Sequence, residues 1–183
     1  QVKFAPPNIS ITINLTVGKR IFIIILLILL FAFAYFGLSK YQQSRKAPAG
    51  KYYVIRVVDG DTIEVDMDGT TEKVRLIGVD TPETHHPDKG VECFGQLASD
   101  FTKNALEGKT VRLESDETNQ NRDRYQRLLR YVYTEQGDLW NARLLQDGYA
   151  HALTAFPFTK MADFKLYEQN AKATSKGLWS ACN

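Results

Sequence analysis

The sequence predicts an α+β domain that is built around a small β-barrel and preceded by an apolar helix directed to a membrane. Five segments between residues 51 and 134 have the β-branched and aromatic content of strands. Three helical segments follow the third and the fifth of these strands, an order typical of an α+β barrel domain. Residues 21–38 contain no charged side chain.

The first 50 residues differ in composition from the rest of the chain. They hold six of the 23 Lys and Arg residues and none of the 21 Asp and Glu residues. The remaining part is therefore mildly acidic, and nucleic acid could be held there only by locally placed cations. We divide the chain into a polar segment (1–20), an apolar helix (21–38), a linker (39–50) and a folded domain (51–183).

The apolar run at residues 21–38 is close to the lower length limit for a membrane-spanning helix. It is apolar on every side, which argues against a helix buried in a soluble domain. Two interpretations remain open. The run is an uncleaved anchor, or it is a signal peptide with Lys19 and Arg20 before the apolar core and Ala32-Phe33-Ala34 as the cleavage site. We favour the anchor because the apolar run continues past that site, and basic residues on both sides leave the orientation open.

Three consecutive strands are predicted at the start of the domain, over residues 51–58, 62–67 and 72–79. In "TIEVDM" the apolar and acidic residues alternate, as on a half-buried strand. Asp59-Gly60 and Asp68-Gly69 separate the strands, and Asp-Gly pairs are typical of tight hairpin turns. The pattern predicts an antiparallel meander.

The second half of the domain alternates between strands and helices. Gly108, Gly148 and Gly177 end the three predicted helices, and apolar residues of the first helix share one face. In chain order, we predict a helix over 94–105, a strand over 110–114, a polar loop over 119–126, a strand over 128–134, and helices over 140–146 and 161–173.

Cys93 and Cys182 are the only cysteines, and their separation fits no zinc-binding pattern. They are either free buried thiols or one disulfide. Export would favour the disulfide, which could add roughly 4–5 kcal/mol by closing a long loop.

The acidic residues around the first turn give a local indication of a metal site. Asp61 and Asp80, with a backbone carbonyl and waters, would suit a hard cation such as Ca²⁺, although solvated turn carboxylates explain the same residues. An EF-hand loop is excluded because position 12 from Asp59 is Thr70. Arg75 lies inside the third strand, where it forms a structural salt bridge or clamps a phosphate.

Five motifs occur in order along a stretch that begins at about Val54 and ends at Trp179-Ser180: "DGDT", "VRLIGVDTPET", "KGVECFGQLAS", "DRYQRLLRYVY" and "GLWS". Together they resemble the staphylococcal (micrococcal) thermonuclease family. The resemblance implies an OB-fold five-stranded barrel with three helices. It also implies a Ca²⁺-dependent phosphodiesterase that cleaves DNA and RNA with little sequence specificity and leaves 3′-phosphate and 5′-hydroxyl ends.

The resemblance implies a role for six residues of this chain. Asp61 and Asp80 match the carboxylate ligands of Ca²⁺, and Thr81 matches a ligand that binds through its backbone carbonyl. The remaining matches are Glu83, which activates or orients the attacking water, and Arg75 and Arg127, which contact the scissile phosphate. The diester gains charge during attack, and fixed cations in a dry pocket stabilise that charge.

The chain departs from the family pattern around the nucleotide pocket. Arg124 stands in place of a lysine beside the matching Tyr125, and Gln126 stands in place of a glycine. Thr154 and Phe156 align with a pair of pocket tyrosines. The Phe156 ring could still stack on a base, although the tyrosine hydroxyls are absent.

We therefore expect a monomeric nuclease that is anchored in the cell membrane with an extracytoplasmic domain, or secreted after signal cleavage. The alternative is a non-catalytic OB-like module that binds nucleic acid or protein at the membrane. Degenerate copies of this fold usually lose the carboxylates or arginines, whereas all are present here. A structural membrane protein with Ca²⁺-binding loops would leave the two arginines unexplained.

Overall fold

The computed structural model describes residues 15–44, 50–84 and 90–182. The chain divides into two compact units, Gln1–Arg45 and Lys46–Asn183, which we describe separately. Most of the predicted polar N-terminal segment and part of the predicted linker lie outside the described residues.

The first unit contains helix α1, Leu15–Ser44, which is 30 residues long. Its apolar stretch, Lys19–Gly37, has a mean hydropathy of 2.6. By length and composition this helix is able to cross a membrane, but an N-terminal signal sequence has the same properties.

The second unit is built around a closed barrel. Its described strands are β1 (Tyr52–Asp59), β2 (Thr62–Met67), β3 (Thr70–Leu76), β4 (Val79–Asp80), β5 (Thr110–Glu114), β6 (Leu128–Tyr133) and β7 (His151–Ala152). Strands β1, β2, β3, β6 and β5 close the barrel in that order. Strands β3 and β6 pair in parallel, and the other neighbours pair antiparallel. The predicted barrel is confirmed, and so are four of the five predicted strands; the third differs as described below.

Alternating apolar residues of the strands fill the barrel. Val54, Ile63, Val65, Val74 and Val132 are completely buried. Burial of each such side chain contributes about 1.5–3 kcal/mol to folding. The barrel is therefore a rigid support for the turns at its ends.

The third predicted strand is interrupted. β3 ends at Leu76, and Gly78 then adopts φ +73°, where a Cβ atom would lie 2.6 Å from the Phe158 ring. The chain resumes as β4, in which Asp80 pairs with His151 of β7. A single strand over residues 72–79 was thus the wrong prediction, because the turn at Gly78 directs Asp80 back over the end of the barrel.

Helices cover the barrel. They are α2 (Gly95–Leu106), α3 (Trp140–Gln146), α4 (Met161–Ala173) and α5 (Leu178–Ala181). The three predicted helices are confirmed, whereas the short α5 was not predicted. Helix α2 packs on β1 and buries Ala98, Thr102 and Leu106.

Candidate active site

Asp61 lies in the turn that joins β1 to β2, and its residue surface is only 5 % exposed. Its Oδ1 atom accepts a hydrogen bond of 3.0 Å from the hydroxyl of Thr62, and its Oδ2 atom accepts one of 2.9 Å from the backbone N–H of Thr81. Asp59 supports the same turn, because its Oδ1 atom accepts a 3.2 Å bond from the N–H of Asp61. The β1–β2 turn and the segment after β4 are therefore fixed to each other.

Arg75 connects the two predicted metal-binding carboxylates. Its Nη2 atom lies 3.0 Å from Oδ2 of Asp61 and 2.8 Å from Oδ1 of Asp80. Its Nη1 atom donates to the backbone carbonyls of Leu76 and Val79 at 3.0 and 2.6 Å. Arg75 is 9 % exposed, so its orientation is fixed by these four partners. The structural salt bridge expected for Arg75 is present, and a phosphate clamp would need the same fixed orientation.

Carboxyl groups are concentrated around this guanidinium. Burial, and then the charge of Asp61, raises the pKa of Asp59 to about 7. Partial burial raises the pKa of Asp80, against the attraction of Arg75. Partial burial also raises the pKa of Glu83, followed by repulsion from Asp61 and Asp80. Negative charge therefore exceeds what one arginine neutralises, and a bound cation would relieve the repulsion.

A metal ion at this site would have to be held by few protein side chains. Within residues 15–44, 50–84 and 90–182, no three His, Cys, Asp or Glu side chains are grouped as a metal centre. The ligands expected from the sequence are the carboxylates of Asp61 and Asp80 and the backbone carbonyl of Thr81. All are oxygen donors, which suits a hard cation such as Ca²⁺ or Mg²⁺ that completes its coordination with water.

Arg127 lies at the start of the strand that pairs with β3. Its Nε atom donates a 2.7 Å bond to Oδ2 of Asp123, whose Oδ1 accepts the backbone N–H of Arg127. Gln126, the residue that replaces a family glycine, adopts φ +65°. The turn that a glycine would form is thus retained by a glutamine, and Arg127 keeps a fixed orientation.

A cavity of about 610 Å³ joins the two arginines. Arg75 and Arg127 both line it, together with the predicted substrate-binding residues Arg124, Tyr125 and Phe156. Tyr125 and Phe156 are each 63 % exposed, so their rings are accessible. Asp61 and Asp80 lie outside this lining, and Arg75 is the residue that contacts them and the cavity at once.

The structure also joins Cys93 to Cys182 in a disulfide across 89 residues, with Cα atoms 5.8 Å apart. The two cysteines are therefore paired and are not free buried thiols. It connects the residue before Phe94, at the start of α2, to the residue that follows α5.

Comparison with known proteins agrees with this architecture. The family model described as "Staphylococcal nuclease homologue" matches residues 73–181. The chain belongs to the staphylococcal nuclease family. The folded unit of this family member is accordingly a nuclease domain.

Individual relatives of the staphylococcal nuclease family show the same likeness. A thermonuclease of Staphylococcus hyicus is 44 % identical over 130 residues, which cover 70 % of this chain and 75 % of that protein. A thermonuclease of Staphylococcus intermedius is 41 % identical over 140 residues, covering 76 % and 81 %. The endonuclease YncB of Bacillus subtilis is 40 % identical over 127 residues, covering 68 % and 59 %.

Several supporting residues were not identified from the sequence. Thr62 binds the Asp61 carboxylate, Asp123 orients Arg127, and Thr102 donates a 2.7 Å bond to the carbonyl of Gly60 in the same turn as Asp61. Thr62 and Asp123 lie inside the motifs, and this position is the one feature of the sequence that could have pointed to them. Thr102 is 42 residues from Gly60, and no local pattern relates the two.

Proposed function

We propose that this staphylococcal nuclease family member is a Ca²⁺-dependent phosphodiesterase that cleaves DNA and RNA and leaves 3′-phosphate and 5′-hydroxyl ends. One observation carries the proposal. The buried guanidinium of Arg75 contacts the carboxylates of Asp61 and Asp80 and also lines the cavity that Arg127 lines. A phosphate beside Arg75 would therefore lie next to the oxygen donors suited to a cation.

Asp61, Asp80 and the backbone carbonyl of Thr81 would hold the Ca²⁺ ion. When bound, the ion supplies positive charge that stabilises the phosphate oxygens as attack proceeds. The mutual repulsion of Asp59, Asp61, Asp80 and Glu83 supports a cation in this position. Both Ca²⁺ and Mg²⁺ bind oxygen ligands, so the choice of Ca²⁺ follows the family resemblance.

Three side chains, Glu83, Arg75 and Arg127, would carry out the other parts of the reaction. Glu83 aligns the attacking water and accepts its proton as the water oxygen bonds to phosphorus. Arg75 and Arg127 stabilise the charge that accumulates on the equatorial oxygens. Both guanidinium groups stay protonated, so they act as electrostatic stabilisers. The bond from phosphorus to the 5′ oxygen breaks, the leaving oxygen takes a proton from solvent water to give the 5′-hydroxyl, and the phosphate stays on the 3′ side.

The nucleotide would occupy the cavity beside these groups. Arg124 provides a further cation, and the exposed rings of Tyr125 and Phe156 offer stacking surfaces. Stacking accepts every base, because each base has a π-face. We therefore propose cleavage of single-stranded or frayed DNA and RNA with little sequence specificity.

We further propose that the nuclease domain functions outside the cytoplasm as a monomer, either anchored by α1 or released after cleavage. A disulfide between Cys93 and Cys182 is consistent with an oxidising compartment. Light scattering of the purified chain would test the monomer, and the N-terminal sequence of the mature protein would test cleavage.

One assay tests the activity. The full chain, purified in detergent, is incubated with heat-denatured DNA or with RNA, in Ca²⁺ or in a chelator. We expect degradation only with Ca²⁺, and product 5′ ends that a polynucleotide kinase labels without prior phosphatase treatment. Glu83→Ala and Arg75→Ala should each lower the rate. Activity in the chelator would overturn the proposal. So would variants that are as active as the unaltered chain.

A further inference from the structure

Two hydrogen bonds join the backbone of Glu83 to Glu92, one through the Glu92 side chain and one through its backbone. The N–H of Glu83 donates a 3.0 Å hydrogen bond to the Oε2 atom of Glu92. In return, the N–H of Glu92 donates a 2.9 Å bond to the carbonyl of Glu83. Glu92 thus binds both the backbone N–H and the backbone carbonyl of Glu83. Neither bond uses the Glu83 side chain.

Glu92 is itself fixed by the start of α2. Its carbonyl accepts a 2.9 Å bond from the N–H of Gly95. Phe94, between them, adopts φ +71° and packs 5.3 Å from the ring of Tyr149. A positive φ is rare for a bulky side chain and persists only where the surroundings determine it. The Cys93–Cys182 disulfide adds a covalent constraint at the residue next to Glu92.

The backbone of Glu83 also lies directly against α2. A Cβ atom on Gly95 would be only 2.6 Å from the carbonyl oxygen of Glu83 and 3.1 Å from that of Pro82. The first residue of the helix is therefore in close contact with the peptide that carries the Glu83 side chain. The Glu83 backbone is thereby fixed to the start of α2.

We propose that Glu92 is a positioning residue for Glu83: its carboxylate fixes the Glu83 backbone so that the Glu83 side chain is oriented toward the scissile phosphate. This inference rests on the proposed function, in which Glu83 aligns the attacking water. Glu92 does not touch the substrate itself. Its bond to Glu83 is accessible to solvent, so its contribution is to geometry more than to overall stability.

The test compares Glu92→Ala with Glu92→Gln in the full chain in detergent, with Ca²⁺ and denatured DNA. Alanine removes the acceptor for the Glu83 N–H, and kcat should fall by about 10- to 100-fold with KM unchanged, because small misplacements near the reacting atoms have effects of that size. Glutamine retains an acceptor oxygen and should restore most of kcat. The melting temperatures of both variants should equal that of the unaltered chain.

A double variant separates positioning from a general structural effect. If Glu92 acts through Glu83, adding Glu92→Ala to Glu83→Ala should cause no further loss of kcat. An additional loss in the Glu83→Ala background, or equal kcat for Glu92→Ala and the unaltered chain, would overturn the inference. Failure of the proposed function would look different, because Glu83→Ala alone would then leave kcat unchanged.

Discussion

The backbone N–H of Thr81 donates a 2.9 Å hydrogen bond to the buried Oδ2 atom of Asp61, twenty residues earlier in the chain. The same oxygen lies 3.0 Å from Nη2 of Arg75. Two turns that are distant in sequence are thereby combined at one end of the barrel. A substitution of Arg75 or Asp61 therefore removes a contact that joins the two turns, and its effect on activity reports on that junction.

Arg75→Lys should abolish most activity although the positive charge is kept. Lysine is a single cationic centre and does not reproduce the guanidinium fork that contacts Asp61, Asp80 and two carbonyls. We expect kcat to fall by about 100-fold or more, as when one preorganised transition-state donor is lost. Arg56→Lys is the matched control, because Arg56 makes a two-bond pair with Glu64 on neighbouring strands and is exposed. Equal losses in the two variants would contradict a specific role for Arg75.

Ca²⁺ binding should release a proton near neutral pH. Burial and the charge of Asp61 raise the pKa of Asp59 to about 7. In the metal-free protein this raised pKa means that stability falls as pH rises from about 4, the ordinary pKa of Asp, to about 7. Ca²⁺ favours the ionised carboxylates, so its affinity should increase over the upper part of that window. Titration calorimetry at pH 6.5 in two buffers of different ionisation enthalpy would measure the proton. Asp59→Asn should remove it, and unchanged proton release would contradict the assignment.

Asp116 should stabilise the wall of the cavity through its ionised form. Burial alone would raise its pKa, but hydrogen bonds from Thr118, Thr159 and Tyr131 outweigh burial and hold the pKa well below its usual range. A lowered pKa contributes stability above about pH 4, and that contribution is lost as pH falls toward the folded-state pKa.

Asp116→Asn should therefore lower the free energy of unfolding at pH 7 by about 1.5–3 kcal/mol, the range for hydrogen bonds to a charged group. Urea denaturation at several pH values would show the difference from the unaltered chain shrinking below pH 4. Glu114→Gln is the control, because the Glu114–Arg112 pair is exposed and should have a small effect. A difference independent of pH would contradict the role of the charge.

Reduction of the disulfide should destabilise the domain. By the chain-entropy model, closing an 89-residue loop contributes about 4–5 kcal/mol, and measured values are commonly lower. Alkylation of the purified chain under denaturing conditions should add no mass before reduction and the mass of two alkyl groups after it, measured on the intact protein. The variant Cys93→Ser/Cys182→Ser should show the same loss of stability without reductant. A free thiol on Cys93 would contradict the disulfide.

The sequence was sufficient for the barrel because strand alternation and Asp-Gly turns are local patterns. The register confirms both turns, with Asp59 opposite Thr62 and Met67 opposite Thr70. Strands of two residues, such as β4 and β7, are too short to show any alternation. The break after β3 was missed because a glycine inside an apolar run does not by itself show that it adopts φ +73°, and the Phe158 ring beside Gly78 lies far away in sequence.

The roles assigned to the site residues stay predictions, whereas contacts between those residues and their supports can be read from the structure. Asp61 and Arg75 were identified through motif order, and the structure brings them into contact. The hydrogen bond between Asp116 and Thr159 joins residues 43 positions apart, and no periodic pattern in the sequence predicts it. Such contacts follow from how loops meet on the barrel, which composition and spacing do not encode.

Phe156→Ala should weaken substrate binding without changing the chemical step. The Phe156 ring lies in the lining of the 610 Å³ cavity, is 63 % exposed, and is separate from the residues that contact Arg75. Loss of base stacking costs about 1–3 kcal/mol per base, so KM for a short oligonucleotide should rise by roughly 5- to 150-fold with kcat retained. Phe156→Tyr keeps the stacking face and serves as the matched control, with KM close to that of the unaltered chain. If alanine lowers kcat while KM stays constant, Phe156 orients the scissile phosphate and does not provide a stacking surface.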